Sequence, residues 1–421
     1  METLDGKLIY QVFVRNHSKD GNIQGVIKDL DRIKDLGTDI LYLMPIHEIG
    51  KVYRKGKYGS PYAIKDYYSI SKDLGTMDDF KQLIKEVHDR DMEIIMDMVF
   101  HHTSPDSVIT NDHIEYYLIE NGMPTTTIED WDDVIDLDTN RKDTQDYLID
   151  VLKYYKELGV DGFRFDVASL IPLDFFARAR IALGGESIFF AESIDDGFKK
   201  HLKKMRIPYV EDEDLVPTFD LLYNYNYFID FNKYLMSGDN ELLRKAFRII
   251  NKENVVHTDI LRANCLENHD NDRIASKVSF ARLINLLTLF ISMRGPAFIY
   301  AGEEYGLKHK PDLFEKDPIE WSLKDEELYN YVKDIITLKK EFGEIDTQYI
   351  EEIGETLIFK LTIRNKEEER VILVNLNEDP ISLNKIIKES YDDTLNQALK
   401  QKISEGDIIL ADPMIFTFLS K

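Results

Sequence analysis

The chain has one cysteine in 421 residues, Cys265, so no internal disulfide can form and a reducing compartment is expected. Its neighbours Asn264 and Leu266 suggest a buried strand thiol rather than a nucleophile. Basic residues are outnumbered: 53 Lys and Arg face 78 Asp and Glu, a net charge of −25. Phosphate binding needs clustered cations, so nucleic acid and anionic membrane are excluded as partners. A neutral ligand such as a sugar would meet no such obstacle, and acidity of this kind ordinarily serves solubility. Long apolar runs are also missing. The longest, LINLLTLFISM at 283–293, is too short to span a bilayer. The opening METLDGKLIYQVFVRN has acidic residues where a secretory signal needs basic ones, and no small-residue cleavage site. A cytoplasmic protein is expected. There is no internal repeat and no low-complexity segment.

What is present is an ordinary globular composition, 43% hydrophobic and 31% charged, at a length suited to one large barrel plus an appendage. Strand-like runs alternate with helical patterns: LIYQVFV (8–14), DILYLMP (39–45), EIIMDMVF (93–100), GFRFDV (162–167), SIFFAE (187–192), LVPTFDL (215–221), NCLEN (264–268) and AFIYAG (297–302). Between them lie amphipathic stretches such as VIKDLDRIKDLG, DDFKQLIKEVHDRD and TQDYLIDVLKYYKELG. Thr76 with Asp79 predicts an N-cap for the second, and Gly37 and Gly159 stand where helix ends want a left-handed residue. Eight strands separated by helices predict an α/β fold, a (β/α)8 TIM barrel built from 1–102 and 141–343. The polar, irregular stretch 103–140 predicts a small loop subdomain after strand three. Beyond Gly343 the alternating runs TLIFKLTIRN, ERVILVNLN and DIILADPMIFTFL predict a C-terminal antiparallel β-domain over 344–421.

The fourth strand is unusual. Alternation in GVDGFRFDVASL (159–170) puts Phe163 and Phe165 on one face, Arg164 and Asp166 on the other. Buried charge is costly unless paired. In such barrels reactive groups collect at the C-terminal strand ends, which selects Asp166, Glu192 after strand five and Asp270 beyond strand seven. Asp166 and Glu192 are one strand-plus-helix unit apart and should be neighbours across the mouth. Two carboxyls about 5–5.5 Å apart make a retaining glycosidase, one attacking while the other donates and then accepts a proton. Arg164 would hold Asp166 ionised by charge and hydrogen bonding. The apolar SIFFA before Glu192 should suit that residue to acid work. A structural ion pair for Arg164–Asp166 and a solvated strand-end Glu192 are the alternatives that these residues alone leave open.

These positions carry a resemblance. DMVFHHTS (97–104), GFRFDVA (162–168), FFAES (189–193) and ENHD (267–270) resemble, in order, the four signatures of the α-amylase family of glycoside hydrolases, family thirteen. LYLMPI (41–46), residues 60–97 and WDDVIDLDTN (131–140) are similar to family sequence as well, so the resemblance covers essentially the whole chain. It implies that Asp166 is the nucleophile, Glu192 the acid/base and Asp270 a third carboxylate that stabilises the transition state. It also implies that His102, Arg164 and His269 bind sugar or position the carboxylates, and that Tyr62 is a stacking platform. Asp97 is expected to be a structural partner of Arg164. His269 and Asp270 can both reach a site only if their strand has already ended.

The chain departs from the pattern at His101, where many members carry a calcium-binding asparagine. Imidazole is a poor ligand for a hard cation, so the usual structural calcium site is in doubt and no other cofactor is expected. The second signature also lacks a Lys-His pair after Asp166, which favours action on an α-glucan or oligosaccharide over long internal starch cleavage. The reading is a retaining glycosidase for α-linked glucosides or maltooligosaccharides. Its alternatives are glycosyl transfer to a sugar or phosphate by the same intermediate, and a non-catalytic sugar-binding relative, against which all three carboxylates are present. A metal hydrolase using Asp97, His101 and His102 would need a His-x-His on strand one, and LIYQVFV has none.

Overall fold

The computed structural model describes residues 4–128, 130–256, 259–390, 392–406 and 409–419; the outermost residues of the expected first and last segments, 1–3 and 420–421, lie outside that description. Two compact units are present. One comprises Ile9–Tyr225 and Lys310–Ser322, the other Glu2–Leu8, Asn226–His309 and Leu323–Lys421.

Eight parallel strands alternating with helices give the expected (β/α)8 class: β1 (Leu8–Val12), β2 (Ile40–Leu43), β3 (Glu93–Met98), β4 (Gly162–Phe165), β5 (Ile188–Ala191), β6 (Leu221–Tyr223), β7 (Arg262–Ala263) and β8 (Ala297–Tyr300). β1 to β6 pair in chain order, with registers Ile9–Ile40, Tyr42–Ile95, Asp97–Arg164, Arg164–Phe190 and Phe190–Leu221. Asp97 and Arg164 are thus direct neighbours on one face. Asp166 lies two positions beyond Arg164, and Glu192 two beyond Phe190, so all four share it. The opposite face of β4 is aromatic: Phe165 packs 4.9 Å from Phe189, 5.2 Å from Phe176 and 5.8 Å from Phe219, ring to ring. Gly162 opens β4 because a Cβ there would stand 2.5 Å from the Ile188 carbonyl oxygen, which lets β5 come close.

Local chemistry follows the sequence in several places. Thr76 caps Met77–His88 in a full capping box with Asp79, and Gly37 and Gly159 take left-handed φ of 100° and 105°. The sixth strand lies later than expected. Asp212–Leu215 is a helix, Pro217 cannot donate to a ladder, and Thr218 and Phe219 turn back to the Leu215 carbonyl before LLY enters the sheet. The seventh lies earlier than 264–268. Asn264 makes one parallel bridge to Ala297 and spends its side-chain amide on the carbonyls of Met293, Arg294 and Gly295. From Cys265 the chain has left the sheet.

In the first unit the excursion after β3 begins with His102–Thr103, which pairs antiparallel with Ile135–Asp136. In the second unit β9 (Thr347–Glu352), β10 (Ile358–Arg364), β11 (Glu368–Asn375) and β12 (Met414–Leu419) form the expected C-terminal antiparallel sheet. Two helices between β11 and β12, Leu383–Glu389 and Asp393–Glu405, were not expected. Leu383, Ile386, Leu395 and Leu399 bury against Ile358, Val371 and Leu373, covering a sheet face that would otherwise meet water. Among the described residues no helix is long and apolar enough to cross a membrane.

Candidate active site

One fully buried guanidinium organises the first unit's strand ends. Arg164 Nη1 donates to Asp97 Oδ1 at 2.7 Å and to Asp166 Oδ1 at 2.9 Å. Its Nη2 lies 2.8 Å from Glu192 Oε1, an ion-pair contact without hydrogen-bond alignment. Asp97 is completed by two phenols: Tyr42 and Tyr62 both donate to its Oδ2, at 2.8 and 3.0 Å. Asp97 is therefore the structural partner that the sequence indicated. The carboxyls of Asp166 and Glu192, on adjacent strands, meet the two arms of a single fork.

The charge state differs from expectation. Burial, reinforced by the Glu192 carboxylate, pushes the Asp166 carboxyl well above the usual carboxylate range, and Arg164 only partly opposes this. The correction has a simple cause: one cation serves three carboxylates, so it cannot alone keep Asp166 ionised. The Glu192 carboxylate beside it adds to the cost of ionising Asp166. Burial also works against the charge on Arg164, but Asp97 and Glu192 outweigh it and hold the guanidinium protonated.

Glu192 Oε2 accepts a 2.8 Å hydrogen bond from the backbone N–H of Val167, a contact the sequence reading missed. Val167 has φ +38° and ψ +47°. Nothing in DVAS announces a left-handed residue there. Tyr42 was missed too, although it shares the face of Asp97 through its register with Ile95.

Tyr62 is partly exposed, with its ring 5.9 Å from Arg164 Cζ, and its hydroxyl is engaged by Asp97. His102 is buried and lies edge-on to Trp131 at 5.2 Å, with Nδ1 3.2 Å from Nδ1 of His101. Burial, then His101, keeps His102 well below the ordinary imidazole range, so it is neutral. Trp131 also meets His101 and Phe198, and this aromatic group was likewise not singled out. His101 bears on the fit of a calcium ion. Asp136 spends Oδ2 on the N–H and hydroxyl of Thr127 and turns Oδ1 to His101 Nδ1 at 3.7 Å. An imidazole facing one carboxylate oxygen does not fit a cation that takes 6–8 oxygens. Among the described residues no group of three His, Cys, Asp or Glu side chains is placed to hold a metal.

His269 and Asp270 belong to the second unit and are described there. Their strand has ended, as both required: they lie in a turn whose Asp270 N–H donates to Asn268 Oδ1. His269 is buried, Asp270 exposed, and His269 Nε2 stands 3.2 Å from Asp270 Oδ2. Glu267 braces this turn, receiving Arg273 Nη1 at 2.5 Å and the Ile274 N–H at 2.6 Å.

Residues 11–182 and 198–379 match the model of the alpha-amylase catalytic domain. Alpha-amylase 2 of Dictyoglomus thermophilum is 25% identical over 421 residues, 88% of this chain and 71% of the relative. An intracellular maltogenic amylase of Bacillus subtilis is 23% identical over 431 residues, covering 95% of this chain and 70% of that protein. The crystal structure of an alpha-amylase from Lactobacillus plantarum superposes with a TM-score of 0.87 at 33% identity, covering 99% of both chains.

Proposed function

The chain belongs to the alpha-amylase family of glycoside hydrolases, and from that premise we propose that it hydrolyses α-glucosidic bonds in maltooligosaccharides or α-glucans with Asp166 as nucleophile and Glu192 as acid/base. The observation that carries the assignment is the Arg164 fork, which holds these two carboxyls at the ends of adjacent strands. A retaining reaction starts from one ionised carboxylate and one protonated carboxyl, and the Arg164 fork faces the two groups that would fill these roles.

With the proton on Glu192, Asp166 attacks the anomeric carbon as Glu192 protonates the departing glycosidic oxygen. This leaves a glycosyl–aspartate ester and an ionised Glu192. Glu192 then takes a proton from water, whose oxygen attacks the same carbon and returns Asp166 as carboxylate. Arg164 faces both carboxyls throughout. Asp270 is assigned to stabilising the positive charge of the transition state, His102 and His269 to the sugar hydroxyls, and Tyr62 to stacking under the ring. The neutral state of His102 supports hydroxyl binding, since one ring nitrogen donates and the other accepts. The names of the amylase relatives support an α-glucan substrate. The single cysteine and a relative named intracellular support a cytoplasmic site of action.

The test is a product profile on maltooligosaccharides and α-linked disaccharides. Shorter sugars that retain the α-anomer at first release are expected. Products longer than the substrate, or a sugar phosphate formed in phosphate buffer, would replace hydrolysis with transfer.

A further inference from the structure

Val167 is the only β-branched residue with a left-handed backbone among the described residues. Cβ branching makes φ +38° costly, and such a residue persists only where its surroundings over-determine it. Here they do. On one side the β4 ladder runs to its end, with Asp166 N–H donating to the Met98 carbonyl at 3.0 Å and Glu192 N–H to the Phe165 carbonyl at 3.1 Å. On the other, the turn Ala168–Leu170 closes on the Val167 carbonyl through the Leu170 N–H at 2.8 Å. The chain must reverse within one residue, and Val167 is that residue. The reversal aims its N–H at Glu192 Oε2.

We propose that Val167 is a positioning residue for the acid/base: its strained backbone N–H, paired with Arg164 on the other oxygen, fixes where the Glu192 carboxyl stands relative to Asp166. Both contacts on Glu192 come from β4 and the residues just after it, and the Val167 nitrogen is bonded to the Asp166 carbonyl carbon. One peptide unit therefore sets the spacing between nucleophile and acid. The valine side chain contributes by exclusion, since its Cβ leaves few backbone alternatives once the turn behind it has closed. This inference rests on the assignment of Glu192 as the acid.

The experiment replaces Val167 with its α-hydroxy analogue by nonsense suppression, exchanging the N–H for an ester oxygen and keeping the side chain. Rates are compared on a maltooligosaccharide, whose leaving group needs a proton, and on an aryl α-glycoside with an activated nitrophenol, which does not. Loss of a hydrogen bond to an ionisable group should slow the first by about tenfold or more and the second by much less. Val167→Gly, which keeps the N–H but releases the backbone, should fall between wild type and ester in the ratio of the two rates. Glu192→Gln serves as the control. If it shows no selective loss on the maltooligosaccharide, the assignment of the acid fails. If it does, and the ester slows both substrates equally or neither, the role of Val167 is overturned.

Discussion

Arg164 shows how a buried charge can be retained without being neutralised. Three carboxylates surround one guanidinium; Asp97 receives further donors from Tyr42 and Tyr62, and Glu192 one from the Val167 N–H. The surplus negative charge falls on Asp166 and Glu192, the two groups assigned above to the reaction. Period-two alternation in GFRFDVA put Arg164 and Asp166 on one face and the strand-end rule added Glu192, but the contact of Arg164 with Glu192 and the Tyr42 hydroxyl on Asp97 were not read. The charge state was not legible, because it depends on how many carboxylates share the cation. His47 is the opposite case, a buried imidazole with no hydrogen-bond partner on either nitrogen, lying edge-on between Tyr67 and Tyr155. Burial lowers its pKa from 6.5 to about 4, only weakly offset by Asp66. The unfolded chain therefore binds a proton that the folded chain refuses. His47 contributes fully above pH 6.5, and that contribution is lost as pH falls towards 4. His47→Phe should remove this dependence, so that at about pH 4.5 in urea the variant has lost roughly 2–3 kcal/mol less stability than wild type, each normalised to its own value near neutrality. Parallel pH curves for the two proteins would refute it.

Elements were read most reliably where side chains report directly on the backbone. Thr76 and Asp79 announced the start of Met77–His88 because each satisfies the other's exposed N–H. Thr76→Ala should cost about 1 kcal/mol, seen as a lowered melting temperature with the rate on maltooligosaccharides unchanged. An equal melting temperature would mean that water caps this helix as well as threonine does. The displaced sixth strand shows the limit of such reading. LVPTFDL has strand composition, but Pro217 lacks the donor that a central strand needs, and the apolar LLY just beyond it pairs instead. The C-terminal helices were hidden differently. Leu395 and Leu399 are spaced for a helix, yet the segment lies among alternating runs whose strand pattern dominates. Val167 could not be read at all, since left-handed valine has no signature in sequence and arises only from the turn that closes behind it.

At the scale of the molecule, the excursion after β3 is tied into the first unit through many points. The chain supplies the ties itself. Leu137 N–H reaches the His101 carbonyl at 2.9 Å, Ser104 N–H the Ile64 carbonyl at 2.9 Å, and Ser107 Oγ the Lys65 carbonyl at 2.9 Å. Thr103 and Tyr117 join their hydroxyls at 2.8 Å, while Asp136 is held by Thr127 and faces His101. None of these bonds needs an oxygen cage, and the imidazole of His101 beside Asp136 is a poor ligand for a hard cation. Activity and melting temperature should therefore be unchanged by exhaustive chelation and by calcium restored afterwards. A net charge of −25 requires a control, because any divalent cation screens an acidic surface. Calcium must be compared with magnesium at equal ionic strength: a small stabilisation common to both is screening, and it fades in added sodium chloride. Loss of activity on chelation that calcium restores and magnesium does not would show that oxygens outside the His101–Asp136 pair assemble a specific site.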